Sequence, residues 1–127
     1  MEPNEALAEL LTLSSQVVDA AILGGSGFVL ASSGTPERGE QLARIASELL
    51  AAAADVRPGS DVSRIEVALE GGSVFVVTEG GRSAVARTVP ESTAGLVVYD
   101  LRTALARLDS EPAPKPAAKK KRGAADA

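Results

Sequence analysis

Residues 21–34 read AILGGSGFVLASSG: an apolar run, a glycine cluster and a second apolar run. Whether those glycines hold a nucleotide or only turn the chain decides the fold. A dinucleotide fingerprint, G-x-G-x-x-G, must open a helix whose N-terminal amides bind the pyrophosphate. Gly25 and Gly27 fit it, but Leu30 stands at the third glycine's position. A nucleophile elbow, G-x-S-x-G, fails because Phe28 stands where its last glycine belongs. No G-K-[ST] occurs anywhere in the chain, so there is no P-loop. The segment after the glycines, Phe28 to Ser32, is short and rich in strand formers, and it closes on Ser33-Gly34. Strand, glycine turn, strand is a β-hairpin.

Working outward, Asn4 is placed to cap a first helix running through Ser14, with Leu7, Leu10, Leu11 and Ser14 on one face. Val17 to Leu23 reads as the hairpin's first strand. Beyond the hairpin, Thr35-Pro36 is a helix start, with Thr35 as cap and Pro36 at the first helical position. This second helix runs to about Asp55, where Arg57-Pro58-Gly59 stops it. Its apolar positions span roughly 200° of the wheel, against about 100° or more for a helix packed on one side. Leu42, Ile45 and Leu49 make a bulky stripe; Ala43, Leu50 and Ala54 make a flank of mostly small residues. Two surfaces want this helix.

Three strands come next: 64–70, 73–79 and 82–89, joined by Gly71-Gly72 and Gly80-Gly81 as two-residue turns. SVFVVTE is apolar on both faces, as a strand covered on both sides requires. RIEVALE alternates, with Ile65, Val67 and Leu69 against Glu66, Ala68 and Glu70, which suits a half-exposed edge. After Pro90 a last helix carries Val97, Leu101, Ala104, Leu105 and Leu108 on one stripe. The expected order is α-β-β-α-β-β-β-α, an α+β chain.

Composition bounds the rest. The chain has 127 residues, 45% of them apolar, but only three aromatic ones, Phe28, Phe75 and Tyr99. That is enough for one domain with an aliphatic core. There is no cysteine, which fits a reducing compartment, and the opening MEPNEALAEL reads as helix rather than signal peptide. A cytoplasmic location is expected. Residues 1–109 hold 8 arginines and 15 acidic residues, a net −7; residues 110–127 hold five cations and two acids, a net +3. The division expected is therefore a domain over 1–109 and, over 110–127, a disordered tail of Pro, Ala and Lys.

Catalytic means are scarce. With no His and no Cys the commonest base, the strongest nucleophile and the usual zinc ligands are missing. The body has no lysine for a Ser–Lys pair. Glu66, Glu70 and Glu79 lie on neighbouring expected strands, but surface carboxylates on an acidic protein are ordinarily solvated. Arg82 and Arg87 flank the last strand and suit either an anion clamp or, more commonly, pairing with nearby carboxylates. Tyr99 reads as a half-buried anchor. The tail cations Lys115, Lys119, Lys120, Lys121 and Arg122 would bind phosphate without sequence preference, or simply keep the tail solvated. No enzymatic activity, cofactor, metal, small-molecule substrate or specific nucleic acid is expected.

Taken together, the hairpin VVDAAILGGSGFVLASS, the helix RGEQLARIASELLAAA and the closing GLVVYDLRTALARL resemble the Roadblock/dynein light-chain domain over about residues 5–108. The first turn, GGSG, departs from the Asp-Gly turn common in that family. The resemblance implies a five-stranded antiparallel sheet, with helix 2 on one face and helices 1 and 3 on the other. It further implies a homodimer joined through edge strands and second helices, which would involve Ala43, Leu50, Ala54, Ile65, Glu66, Val67, Ala68 and Leu69. Bacterial members look like regulators of small Ras-like GTPases, and eukaryotic ones serve as adaptors. The expected function is thus a non-catalytic homodimeric regulator or scaffold of a small GTPase. The alternative is a structural adaptor without a GTPase, tethered by its tail through weak contact with an anionic surface. The GTPase-facing residues would be Glu40, Gln41, Arg44 and Glu48, with Arg44 an ordinary contact before an arginine finger.

Overall fold

The computed structural model describes residues 1–110; the tail residues Lys115, Lys119, Lys120, Lys121 and Arg122 lie outside the described residues. The elements run α1 (Pro3–Leu13), β1 (Val17–Leu23), β2 (Val29–Ser32), α2 (Pro36–Val56), β3 (Arg64–Leu69), β4 (Gly72–Glu79), β5 (Arg82–Thr88) and α3 (Ala94–Ser110). They form the α+β order read from the sequence. All strand pairings are antiparallel, and the sheet order is β2-β1-β5-β4-β3.

The glycine stretch turns the chain, as its sequence requires. Gly24 donates to the Phe28 carbonyl at 2.9 Å, Gly27 donates to that of Gly24 at 2.9 Å, and Gly27 takes a φ of +90°. A hairpin, not a helix, leaves the cluster. β2 begins at Val29, one residue later than the composition suggests, and Phe28 is left exposed over Gly24.

Two aliphatic cores sandwich the sheet. On one face Ala20, Ile22, Phe75, Val77, Ala84 and Ala86 meet the buried stripes of α1 and α3, including Leu7, Leu10, Val97, Leu101 and Leu105. On the other, Ala21, Leu23, Val76 and Val85 meet Leu42, Ala43 and Ala46 of α2. Phe75 and Val76 are 1% and 0% exposed, so β4 is covered on both sides.

Four local expectations change. The α1 cap is Glu2 rather than Asn4: Glu2 and Glu5 form a reciprocal capping box, and Pro3 takes the first helical turn. The β3–β4 turn is Glu70-Gly71, not Gly71-Gly72, because Leu69 pairs with Gly72. Gly72 belongs to the strand, at a φ of +137°, where a Cβ would stand 2.1 Å from the Thr88 carbonyl oxygen. Glycine is needed there for close approach as much as for the bend. Tyr99 is 67% exposed rather than half-buried. Finally, the core side of α2 is Gly39, Leu42, Ala43 and Ala46, while Ile45 stays half-exposed on a flank. Small residues let the helix lie close to the sheet, and that rotation turns Ile45 off the core.

Candidate protein-interaction surface

α2 packs over β1, β2 and β5, which leaves the β4–β3 side of the same face less covered. Thr35 caps it, its hydroxyl accepting from the Arg38 amide at 3.2 Å, with Pro36 as expected at the first helical position. The helix has two flanks, set by rotation about its axis. Leu50 and Ala54 border an open groove with residues 60–63 and with Thr78, Glu79, Arg82 and Ser83 of the β4–β5 end. Ile45 lies seven residues beyond Arg38, two helical turns, and so shares its flank. Arg38 lies 3.5 Å from Asp19, which is held by Arg87, and Arg87 stands opposite Val74 in the ladder. The Arg38–Ile45–Leu49 flank therefore looks along the sheet toward β4 and β3.

On that side the sheet offers apolar side chains. Ile65 pairs with Val76 and Val67 with Val74, so Ile65, Val67 and Leu69 share α2's face. Ile65, Val67 and Val74 are half-buried and Leu69 is 60% exposed. β3 is one of the two edge strands, as its alternation implied. Its other face carries Arg64, Glu66 and Ala68, all exposed. An apolar helix flank and a half-covered apolar strand thus lie on the same face of the sheet, beside an open sheet edge.

The residues expected to join two copies divide on this frame. Ile65, Glu66, Val67, Ala68 and Leu69 sit at the edge; Leu50 and Ala54 sit on the groove flank. Ala43 is 7% exposed and packed in the α2 core, so it serves the folded chain and presents no surface. Sequence periodicity alone gave no way to assign Ile45 and Leu49 to the β3 side, because rotation of α2 is decided by packing.

The polar side of α2 holds Glu40, Gln41, Arg44 and Glu48, all exposed. Glu37, Arg38, Glu40, Gln41 and Arg44 border one shallow depression, in which Arg38 donates to Gln41 Oε1 at 2.7 Å. At the foot of the helix, Asp19 is 8% exposed and accepts from Arg87 Nε at 3.3 Å and Nη2 at 2.9 Å. The hydrogen bond to Asp19, and then the attraction of its charge, raise the Arg87 guanidinium above its ordinary value. Sequence reasoning passed over Asp19, whose signal was a lone carboxylate within the otherwise apolar VVDAAIL. Arg87 is thus in a carboxylate pair, the commoner of its two readings. Glu79 is paired too, accepting from Arg102 at 3.0 Å. Among the described residues, no three His, Cys, Asp or Glu side chains cluster as a metal site requires, and no helix is long and apolar enough to cross a membrane.

Comparison with solved structures finds the same fold in a Roadblock/LC7 domain from Streptomyces avermitilis, with a TM-score of 0.75 at 22% identity, covering 86% of this chain and 96% of that one. MglB from Myxococcus xanthus matches with a TM-score of 0.69 at 16% identity, over 84% of each chain. The gliding protein MglB from Thermus thermophilus matches with a TM-score of 0.63 at 23% identity, over 85% of this chain and 91% of that one. Comparison with curated proteins gives no match. The Roadblock/LC7 domain model matches residues 3–86, from α1 into β5, and the chain belongs to that family.

Proposed function

We propose that this chain is a non-catalytic regulator or scaffold of a small Ras-like GTPase, working as a homodimer joined through β3 and the Ile45–Leu49 flank of α2. The observation that carries the reading is that Ile45 and Leu49 of α2 and Ile65, Val67 and Leu69 of β3 are incompletely covered on one face of the sheet, beside an open strand edge, within a Roadblock/LC7 fold. An exposed edge invites uncontrolled pairing, and symmetric closure on a second copy removes that hazard. The similarity of fold to MglB gliding proteins supports the GTPase-regulating branch of the family. Dimerisation through one flank of α2 leaves its polar side, Glu40, Gln41, Arg44 and Glu48, for the GTPase. Because phosphoryl transfer depends mainly on positioning and electrostatics, a regulator with no catalytic group acts by placing the GTPase's own loops.

The test has two arms. Light scattering of the pure protein gives twice the chain mass if the dimer exists. A pull-down from the source cell recovers a small GTPase, and reversing both charges in Arg44→Glu/Glu48→Arg weakens that capture without altering mass or thermal stability. A monomer at tens of micromolar overturns the first arm; undiminished capture by the double variant moves the GTPase surface elsewhere.

A further inference from the structure

The open edge of β3 carries enough information to specify how a second copy aligns on it, given the homodimer proposed above. The Ser63 carbonyl accepts from the Thr78 amide at 3.1 Å. Backbone groups alternate in direction along a strand, so Ile65, Val67 and Leu69 turn theirs toward β4. Arg64, Glu66 and Ala68 turn theirs to the open edge. Side chains alternate as well, with Ile65, Val67 and Leu69 on the apolar face of the sheet. A one-residue slip would set apolar residues opposite charged ones, so only every second register keeps the faces matched.

Two matched registers overlap the strand most fully, one centred on Glu66 and one on Val67. The first sets Glu66 directly opposite Glu66 of the second copy, and like charges so placed are destabilising. It also sets Leu69, 60% exposed, opposite the polar Ser63 of the second copy rather than an apolar side chain. The second sets Val67 opposite itself and Ile65 opposite Leu69 of the second copy, twice by symmetry. It also brings Arg64 alongside Glu70, the first residue of the β3–β4 turn, at both ends. Both are exposed, and neither takes part in an ion pair within the chain among the described residues. We infer that two copies join β3 to β3 with Val67 on the two-fold axis, so that Arg64 of each meets Glu70 of the other and Leu69 is covered by Ile65.

Single cysteines read the register directly, since the chain has none of its own. At the axis the two Val67 Cα atoms form a non-hydrogen-bonded pair about 4.5 Å apart, within disulfide reach. Ile65→Cys, Glu66→Cys and Val67→Cys are each oxidised with copper–phenanthroline and followed on non-reducing gels. Val67→Cys is expected to cross-link at least about tenfold faster than the other two, whose mates lie two or more residues along the ladder. Arg64→Glu should raise the dimer dissociation constant about tenfold, and adding Glu70→Arg should restore it. Fastest cross-linking at Glu66→Cys or Ile65→Cys in an intact dimer overturns this register alone. An intact dimer in which none cross-links overturns the β3 junction. A wild-type protein of single-chain mass overturns the dimer reading itself.

Discussion

Arg87 on β5 grips Asp19 on β1 with two hydrogen bonds, at 3.3 and 2.9 Å, across neighbouring strands. The two ends of the contact are unequally exposed: the Arg87 side chain is 45% accessible and that of Asp19 is 12%. Removing Arg87 leaves a largely covered carboxylate with Arg38 alone, at 3.5 Å. Removing Asp19 leaves two arginines that water reaches. Arg87→Ala should therefore cost about 1–2 kcal/mol of stability, and Asp19→Ala less, on the scale of part-exposed charge-assisted bonds. Urea unfolding of both variants checks the order; equal costs would mean the carboxylate is solvated in the folded protein.

Adjacent glycines at the β3–β4 turn should respond very differently to alanine. At Gly72 a methyl would collide with the Thr88 carbonyl from a φ that side chains avoid, whereas at Gly71 nothing lies within 4 Å. Gly72→Ala should cost at least about 2–3 kcal/mol through backbone strain and displacement of β5, while Gly71→Ala stays within about 1 kcal/mol. Thermal melts of the pair give the comparison.

Arginine substitutions along α2 separate folding from association. Ala43→Arg inserts a charge into the core and should unfold the chain or lower its melting temperature by more than about 10 °C, as a loss of about 3 kcal/mol or more would in a domain of this size. Ile45→Arg sits on the half-exposed flank and should leave circular dichroism and monomer stability nearly unchanged while halving the mass by light scattering. A folded Ile45→Arg dimer would move the junction to another flank of the helix.

No nucleotide should bind the isolated protein. Gly24 to Gly27 are spent on a two-strand turn, with the Gly24 and Gly27 amides donating to backbone carbonyls rather than standing free. Calorimetry with GTP and ATP is expected to show no heat of binding at millimolar nucleotide. A micromolar dissociation constant for either would contradict the hairpin's role as a turn alone.

The cationic tail should act as an auxiliary tether. Five cations at about 1 kcal/mol each near an anionic membrane give at most about 5 kcal/mol, a dissociation constant of a few tenths of a millimolar. Repulsion from the −7 body lowers that further. Deleting residues 110–127 should leave fold and dimer intact and reduce affinity for an acidic partner modestly, in a salt-dependent way. Binding by full-length and truncated protein at two salt concentrations measures it; complete loss at both would make the tail the principal site.

Much of this architecture was legible in the amino-acid sequence, because the signals that set it are local. Alternation named β3 as a half-exposed edge, the doubly apolar SVFVVTE named β4 as a strand covered on both sides, and Thr35-Pro36 marked where α2 begins. Failure of the nucleotide motifs around Gly24–Gly27 made the glycines a turn. Tertiary structure decided what local patterns leave open. The apolar arc of α2 was too wide to assign, and only the close approach of Gly39, Ala43 and Ala46 to the sheet sent Ala43 inward and Ile45 to the flank. The same dependence on distant neighbours put Gly72 into the strand, where the Thr88 carbonyl leaves no room for a Cβ, and matched Asp19 with an arginine 68 residues away. A periodicity shows that a residue has a partner face; which face that is depends on how closely the backbones can pack.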